Sequence, residues 1–262
     1  MVSETYTNAV NNPGTGCCGV SSCGTQKGVL AKLAGYDAGE LAALPAEAVI
    51  NSFGCGNPLA FSEVRPGDTV LDLGSGAGID LIIAAKLVGP TGRVIGVDMT
   101  DAMIEKARAS VAAAGLTNVE IRKGFIEKLP VDSASVDWVI SNCVINLSPD
   151  KPQVFAEIAR VLKPGGQMRV SDIVVRDLPP ALRESAALYS SCIAGAISEE
   201  DYVAGLQRAG LTGVEVRDRQ VYDSAQIEAL AGSELPMDAD TAKLAHATVG
   251  NIWSAIFYAR KP

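Results

Sequence analysis

Thr69-Val70-Leu71-Asp72-Leu73-Gly74-Ser75-Gly76-Ala77-Gly78 is the stretch that decides the fold. Pro66-Gly67 makes a turn just ahead of it, and the short apolar run that follows suits a strand buried on both faces of a parallel sheet. The glycines then let the backbone turn sharply into a helix, and they leave room for a ligand to lie against main-chain atoms. Alone this signal is weak, because Gly-rich turns also serve as plain strand-to-helix connections and in dinucleotide sites.

Downstream the pattern alternates. A helix is predicted over 79–87, a strand over 93–97, a helix over 101–114, strands over 119–122 and 136–141, a helix over 151–162 and a strand over 167–175. Such alternation implies right-handed crossovers and a parallel sheet covered on both faces, an α/β doubly wound core. Asp98 ends the second strand, where a carboxylate can accept both hydroxyl protons of a ribose. Its bland alternative is an N-cap for the helix at 101, a task that Thr100 or Asp101 can also perform.

Residues 1–64 are rich in Gly, Ala, Asn and Cys, with short helical candidates at 38–44 and 45–51, and are expected to form a Cys-bearing arm. Residues 65–175 form the expected ligand-binding core. Beyond it the alternation weakens: a helical stretch at 179–190 precedes Ser198-Glu199-Glu200-Asp201, a capping-box-like start to a helix ending at Gly210. A substrate-facing insertion is expected in 176–262, together with strands at 214–217 and 253–259. The last has two apolar faces, as in a central strand.

Composition bounds the function. With 262 residues, 48% apolar and 20% charged, the chain can bury a sizeable core in one large domain. Its net charge of -8, from 30 acids against 22 bases, and the lack of any Lys/Arg run disfavour nucleic acid and anionic lipid as partners. Met1-Val2-Ser3-Glu4 lacks the basic-then-apolar pattern of a signal peptide, and no apolar run reaches membrane length, so a cytoplasmic location is expected. The six cysteines are then expected as thiols serving metals or chemistry, not as a disulfide scaffold.

Two later segments separate a methyl donor from NAD. Gly124-Phe125-Ile126-Glu127-Lys128-Leu129-Pro130 follows the third strand, and Val161-Leu162-Lys163-Pro164-Gly165-Gly166 precedes the fifth. With Asp72-Leu73-Gly74-Ser75-Gly76 they resemble the motif set of class I S-adenosylmethionine methyltransferases over about residues 65–175. The resemblance implies a Rossmann-like, seven-stranded sheet whose last strand is antiparallel. It also implies a cofactor set of Gly74, Ser75, Gly76, Gly78, Asp98, Met99, Phe125, Ile126 and Asn142, with Phe125 and Ile126 bracketing the adenine. Phe125 stands where that class commonly has an acidic residue, which leaves an adenine amino contact through that side chain open.

Outside the cofactor motifs, Phe53-Gly54-Cys55-Gly56-Asn57-Pro58, Ser141-Asn142-Cys143-Val144-Ile145-Asn146-Leu147-Ser148 and Ser191-Cys192-Ile193-Ala194-Gly195-Ala196 resemble the three cysteine segments of arsenite S-adenosylmethionine methyltransferases. With the Cys17-Cys18 pair the resemblance extends over most of the chain. Phe53 departs from the usual Tyr, which removes any help from a phenol oxygen. The implied substrate is arsenite or its thiol conjugate, giving mono- and then dimethylated arsenicals, and the implied As(III) ligands are Cys55, Cys143 and Cys192.

That chemistry follows from the residue type. A soft trivalent centre is bound by thiolates rather than by oxygen or ammonium groups, and three thiolates neutralise a formal 3+ charge. Trivalent arsenic keeps a lone pair, so once held it can attack an electrophilic methyl without a general base, and catalysis rests on orientation and proximity. Any one of these cysteines judged alone is as readily a small buried apolar residue. Cys17, Cys18 and Cys23 make a poor zinc knuckle, lacking the Cys-x-x-Cys spacing and an evident fourth ligand; substrate capture or redox exchange suits them better. The resemblance implies that Cys17 or Cys18 forms a disulfide with Cys55 as oxidised arsenic is reduced, with glutathione or a thioredoxin-like protein regenerating the thiols. His246, the only histidine, is expected to be structural or exposed, and Trp138 and Trp253 to lie in the core. The competing readings are a small-molecule C-, N- or O-methyltransferase with packing cysteines, a non-catalytic metalloid or S-adenosylmethionine sensor, and, weakest, an NAD dehydrogenase.

Overall fold

β1 (Thr69–Leu73) lies in the middle of a seven-stranded sheet. The computed structural model describes residues 2–11, 39, 44–50, 63–183, 192–221 and 250–262. The remaining strands are β2 (Arg93–Asp98), β3 (Val119–Lys123), β4 (Val136–Asn142), β5 (Leu162–Val175), β6 (Thr212–Val221) and β7 (Ile252–Arg260). Their order is β3-β2-β1-β4-β5-β7-β6. β1 to β5 run parallel, and β7 is antiparallel to both β5 and β6, as the family resemblance implies.

The period of two along each strand sorts the side chains onto two faces. Leu71, Leu73, Ile95, Val97 and Val139 point into one buried cluster, where Phe155 and Ile158 of α5 (Lys151–Val161) and Tyr202 and Leu206 of α7 (Glu199–Arg208) meet them. Val70, Val94, Trp138 and Ile140 point into the other, against Leu81, Ala84, Ala85 and Val88 of α3 (Ile79–Val88) and Ala107 of α4 (Asp101–Ala113). With helices on both faces, the strands need no polar side, which explains their near-continuous apolar reading. The described helices also include α1 (Val2–Asn11), α2 (Ala46–Ile50) and α6 (Pro180–Arg183).

Several expectations change in detail. β5 begins at Leu162, so Lys163-Pro164-Gly165-Gly166 lies within the strand: Leu162 pairs with Val136, and the Gly165 N–H donates to Lys261 at 2.9 Å. α7 starts at a Ser198 cap that accepts from the Asp201 N–H at 3.0 Å. Its Tyr202 ring stacks on Phe257 at 3.9 Å, so this helix covers the sheet rather than facing substrate. Gly205 permits that approach, since a Cβ there would stand 2.5 Å from the Phe155 ring. Trp138 is core as expected, but Trp253 is half-buried, its indole N–H reaching Glu199 at 3.2 Å. Of the stretch 179–190 the structure describes only Pro180–Arg183 as helix. His246 and most of the candidate helix at 38–44 lie outside the described residues. α1 had no counterpart in the sequence reading.

Candidate functional site

The carboxyl ends of β1, β2 and β4 open into one cavity of about 630 Å³, a position typical of ligand sites in open α/β sheets. The Gly74–Gly78 turn forms its floor. Gly74, Gly76 and Gly78 take φ of +64°, +51° and +92°, the left-handed region that glycine enters without steric penalty. A side chain at Gly76 would meet only the Gly74 carbonyl oxygen at 3.9 Å, and would therefore project into free space beside the cavity. Gly78 does not line the cavity. A Cβ there would touch the Ala107 backbone at 3.4 Å, so its part is to let α3 pack close to α4.

Asp98 ties this turn to β2. One carboxylate oxygen accepts the Gly76 N–H at 3.0 Å and the other the Thr100 N–H at 2.8 Å. Thr100, not Asp98, occupies the N-cap position of α4. The Thr100 side chain and the Met99 backbone also hydrogen-bond this carboxylate, so it is held firmly at the cavity wall. Asp72 and Asp80 also line the cavity, both buried. Burial, then the neighbouring Asp80 and Asp98 charges, raise the Asp72 carboxyl well above its usual range; burial also raises Asp98 against the pull of its hydrogen bonds. The Asp80 and Asp98 charges disfavour ionisation of Asp72, and a cationic occupant would offset that repulsion. Phe125, 64% exposed, stands at the cavity mouth beside the buried Ile126.

The fourth wall is the segment after β4. Asn142, Cys143, Val144, Leu147 and Ser148 line the cavity, and a 3-10 turn over Ile145–Leu147 follows. Cys143 has φ +61° and Cys192 φ +63°. Such a conformation costs a non-glycine residue about 1–2 kcal/mol, and strain of this kind concentrates at functional sites. The two residues are brought together across 49 positions of sequence, for the Cys192 thiol donates to the Cys143 carbonyl oxygen at 2.6 Å. Both are buried in one cluster with Ile173, Leu178, Ile193 and Ile252. Cys192 is a thiol, whereas Cys143 is disulfide-bonded. Cys17, Cys18, Cys23 and Cys55 lie outside the described residues. Among the described residues no three His, Cys, Asp or Glu side chains are arranged to hold a metal ion.

Of the expected cofactor residues, Gly74, Ser75, Gly76, Asp98, Met99, Phe125, Ile126 and Asn142 all line the cavity. The sequence reading missed Tyr6 of α1, Asp80, Glu127 and Ser148. Glu127 and Ser148 sit inside quoted motifs and accept and donate one hydrogen bond, joining the loop after β3 to the cysteine segment. α1 carried no motif that could have placed it there.

A Gly-rich turn at the end of β1, a carboxylate at the end of β2 and an antiparallel β7 define the class I S-adenosylmethionine-dependent methyltransferase fold, and residues 65–210 match a family model described as a methyltransferase domain. The chain is 45% identical over 82% of its length to an arsenite methyltransferase of Halobacterium salinarum, and 37% identical over 63% to the human one. It covers 58% and 46% of those two proteins, and thus about half the length of the curated relatives it matches. Its fold superposes with a TM-score of 0.70 on the crystal structure of an arsenic(III) S-adenosylmethionine methyltransferase from Chlamydomonas reinhardtii, at 36% identity, covering 86% of this chain and 72% of that one. The chain belongs to the arsenite S-adenosylmethionine methyltransferase family.

Proposed function

We propose that the chain transfers methyl groups from S-adenosylmethionine to trivalent arsenic held by cysteine thiolates, giving methylated arsenicals and serving arsenic detoxification. The observation that carries this is the meeting of Cys192 with Cys143, both in left-handed backbone, where Cys143 lines a cavity whose other walls suit the methyl donor. Generic packing gives no reason to hold two cysteines in that conformation.

The cavity fits S-adenosylmethionine on its own chemistry. The acidic trio Asp72, Asp80 and Asp98 suits a ligand with a sulfonium and an ammonium, Asp98 presents a carboxylate to ribose hydroxyls, and Phe125 with Ile126 offers apolar surface to adenine. Bound there, the cofactor supplies an electrophilic methyl on a sulfonium. Ser75 and Met99 complete the wall around Asp98, and Asn142 places its amide 3.5 Å from the Asp80 carboxylate.

The chain's part is capture and orientation. Each thiol that replaces a hydroxyl of arsenite releases one water, and Cys143, Cys192 and Cys55 together would exchange all three. The arsenic lone pair then needs only alignment and exclusion of water, which the buried Cys143–Cys192 cluster provides. Methylation leaves pentavalent arsenic, whose return to the trivalent state takes two electrons from a pair of thiols. Cys17 or Cys18 with Cys55 supply that pair, and glutathione or a thioredoxin-like protein restores it. The disulfide at Cys143 adds a second demand for a reductant, because that sulfur offers a thiolate only after reduction.

The test is arsenite binding by the reduced chain, followed through Trp138 and Trp253 fluorescence. Cys143→Ser and Cys192→Ser should each weaken binding at least tenfold while S-adenosylmethionine affinity by calorimetry stays within about twofold, because serine is a hard, un-ionised ligand of nearly the same size. Undiminished arsenite binding by either variant removes the pair from the substrate site.

A further inference from the structure

One buried acid has no part in the chemistry so far. Asp172 lies toward the carboxyl end of β5, fully buried, between Ser171 and Ile173. Burying a carboxylate costs several kcal/mol unless its partners compensate, and the partners here are few. Asn146 donates to Oδ1 at 2.8 Å, the adjoining Ile173 N–H to the same oxygen at 3.1 Å, and the Tyr202 hydroxyl to Oδ2 at 3.3 Å. Burial raises its pKa to about 7 even though Lys151 lies near enough to favour the charge. The Lys151 ammonium donates instead to the Asn146 and Ser148 carbonyls, at 3.3 and 3.1 Å. An apolar residue at 172 would serve the core better.

What Asp172 holds is the cysteine segment. Ser171 accepts the Cys143 N–H at 2.8 Å, Asp172 accepts from the Asn146 side-chain amide, and the Ile173 carbonyl accepts from that same amide at 2.6 Å. Three consecutive residues of β5 thus grip one six-residue turn, and Lys151 fastens its far end. The turn presents the Cys143 carbonyl on which the Cys192 thiol rests, and it keeps Cys143 in its left-handed conformation. Of the three grips only Asp172 is a side chain, and only it can add the strength of a charge-assisted bond.

We infer that Asp172 is a positioning residue for the arsenic site: its carboxyl, acting through Asn146, fixes the Cys143–Ser148 turn so that the Cys143 and Cys192 sulfurs can close on one arsenic atom. Binding one atom with two thiols depends on their mutual placement, so loosening the turn lowers the effective concentration of the second thiol. Asp172 touches neither cofactor wall nor sulfur, so the effect should fall on arsenic capture and spare the methyl donor. The inference rests on the proposed arsenic substrate.

The experiment measures arsenite affinity, S-adenosylmethionine affinity and Tm for the reduced full chain and three variants. Asp172→Asn and Asn146→Ala should each weaken arsenite binding about 10- to 100-fold, the range set by loss of one hydrogen bond to a charged group, with cofactor affinity within about twofold of wild type. Tyr202→Phe removes the other side-chain donor to Asp172 without touching Asn146 and should leave arsenite affinity intact. If Asp172→Asn binds arsenite as wild type does, or Tyr202→Phe weakens it equally, the positioning role is wrong. A wild-type chain that binds no arsenite overturns the arsenic reading itself, and this inference with it.

Discussion

Gly74→Ala tests how tightly the two halves of the site are built against each other. A Cβ at position 74 would stand 2.3 Å from Cγ2 and 2.7 Å from Cβ of Val144, the residue after Cys143. The φ of +64° adds about 1–2 kcal/mol for any L-residue with a Cβ. Overfilling a packed position adds about 1–3 kcal/mol, and the β-branched Val144 has few rotamers with which to yield. The sum is about 2–5 kcal/mol of lost stability, read as a lower midpoint in urea unfolding. Val144→Ala in the same chain removes the 2.3 Å contact and leaves the 2.7 Å one, so part of the loss returns as a coupling of about 0.5–3 kcal/mol between the two changes. A Gly74→Ala chain with the wild-type midpoint, or strictly additive effects of the two substitutions, would refute the packing argument.

Asp98→Asn keeps the size of the side chain but removes the charge, and should weaken S-adenosylmethionine by about 1.5–3 kcal/mol in calorimetry while arsenite affinity is unchanged; unchanged cofactor affinity would take Asp98 out of the site. Because the Asp72 carboxyl is raised by burial and by its acidic neighbours, a cationic ligand should lower it again and expel its proton, so cofactor binding should tighten as pH rises and release protons in buffers of different ionisation enthalpy. Proton uptake would contradict that sign. Asp172 binds its proton more tightly folded than unfolded, so its contribution to stability is full below about pH 4 and is lost as pH rises through about 7. The rise from 3.8 to about 7 corresponds to about 4 kcal/mol, and Asp172→Asn should gain on the wild type by an amount of that order between pH 4 and 8; parallel pH profiles would be the contrary result.

The core was legible because its signals are local. The Thr69–Leu73 run, the glycine turn and the alternation through Val175 each follow from strand period and turn chemistry, and β1 to β5 fall within a few residues of their expected places. The apolar faces at 253–259 marked β7 as a strand, and the family resemblance implied its antiparallel direction. The rest depended on contacts no local pattern records. The half-exposure of Trp253 follows from its place against Glu199 and Arg176. The cysteine motifs identified which sulfurs to watch, but the left-handed backbone of Cys143 and Cys192 and the grip of β5 on Asn146 arise only when β4, β5 and the turn at Cys192 meet. α1 reached the cavity without any motif, since a short amphipathic segment carries no address for its docking site.

The most direct measurement is methyl transfer itself. The reduced full chain is incubated with methyl-labelled S-adenosylmethionine, arsenite and a thiol reductant, and arsenic species are separated and counted. Label should appear in mono- and then dimethylated arsenic, and both products should vanish in Cys143→Ser and Cys192→Ser chains that still bind the cofactor. Label that stays in the donor with arsenite present, or methylated arsenic formed at the wild-type rate by either serine variant, would contradict thiolate capture of arsenic as the basis of the reaction.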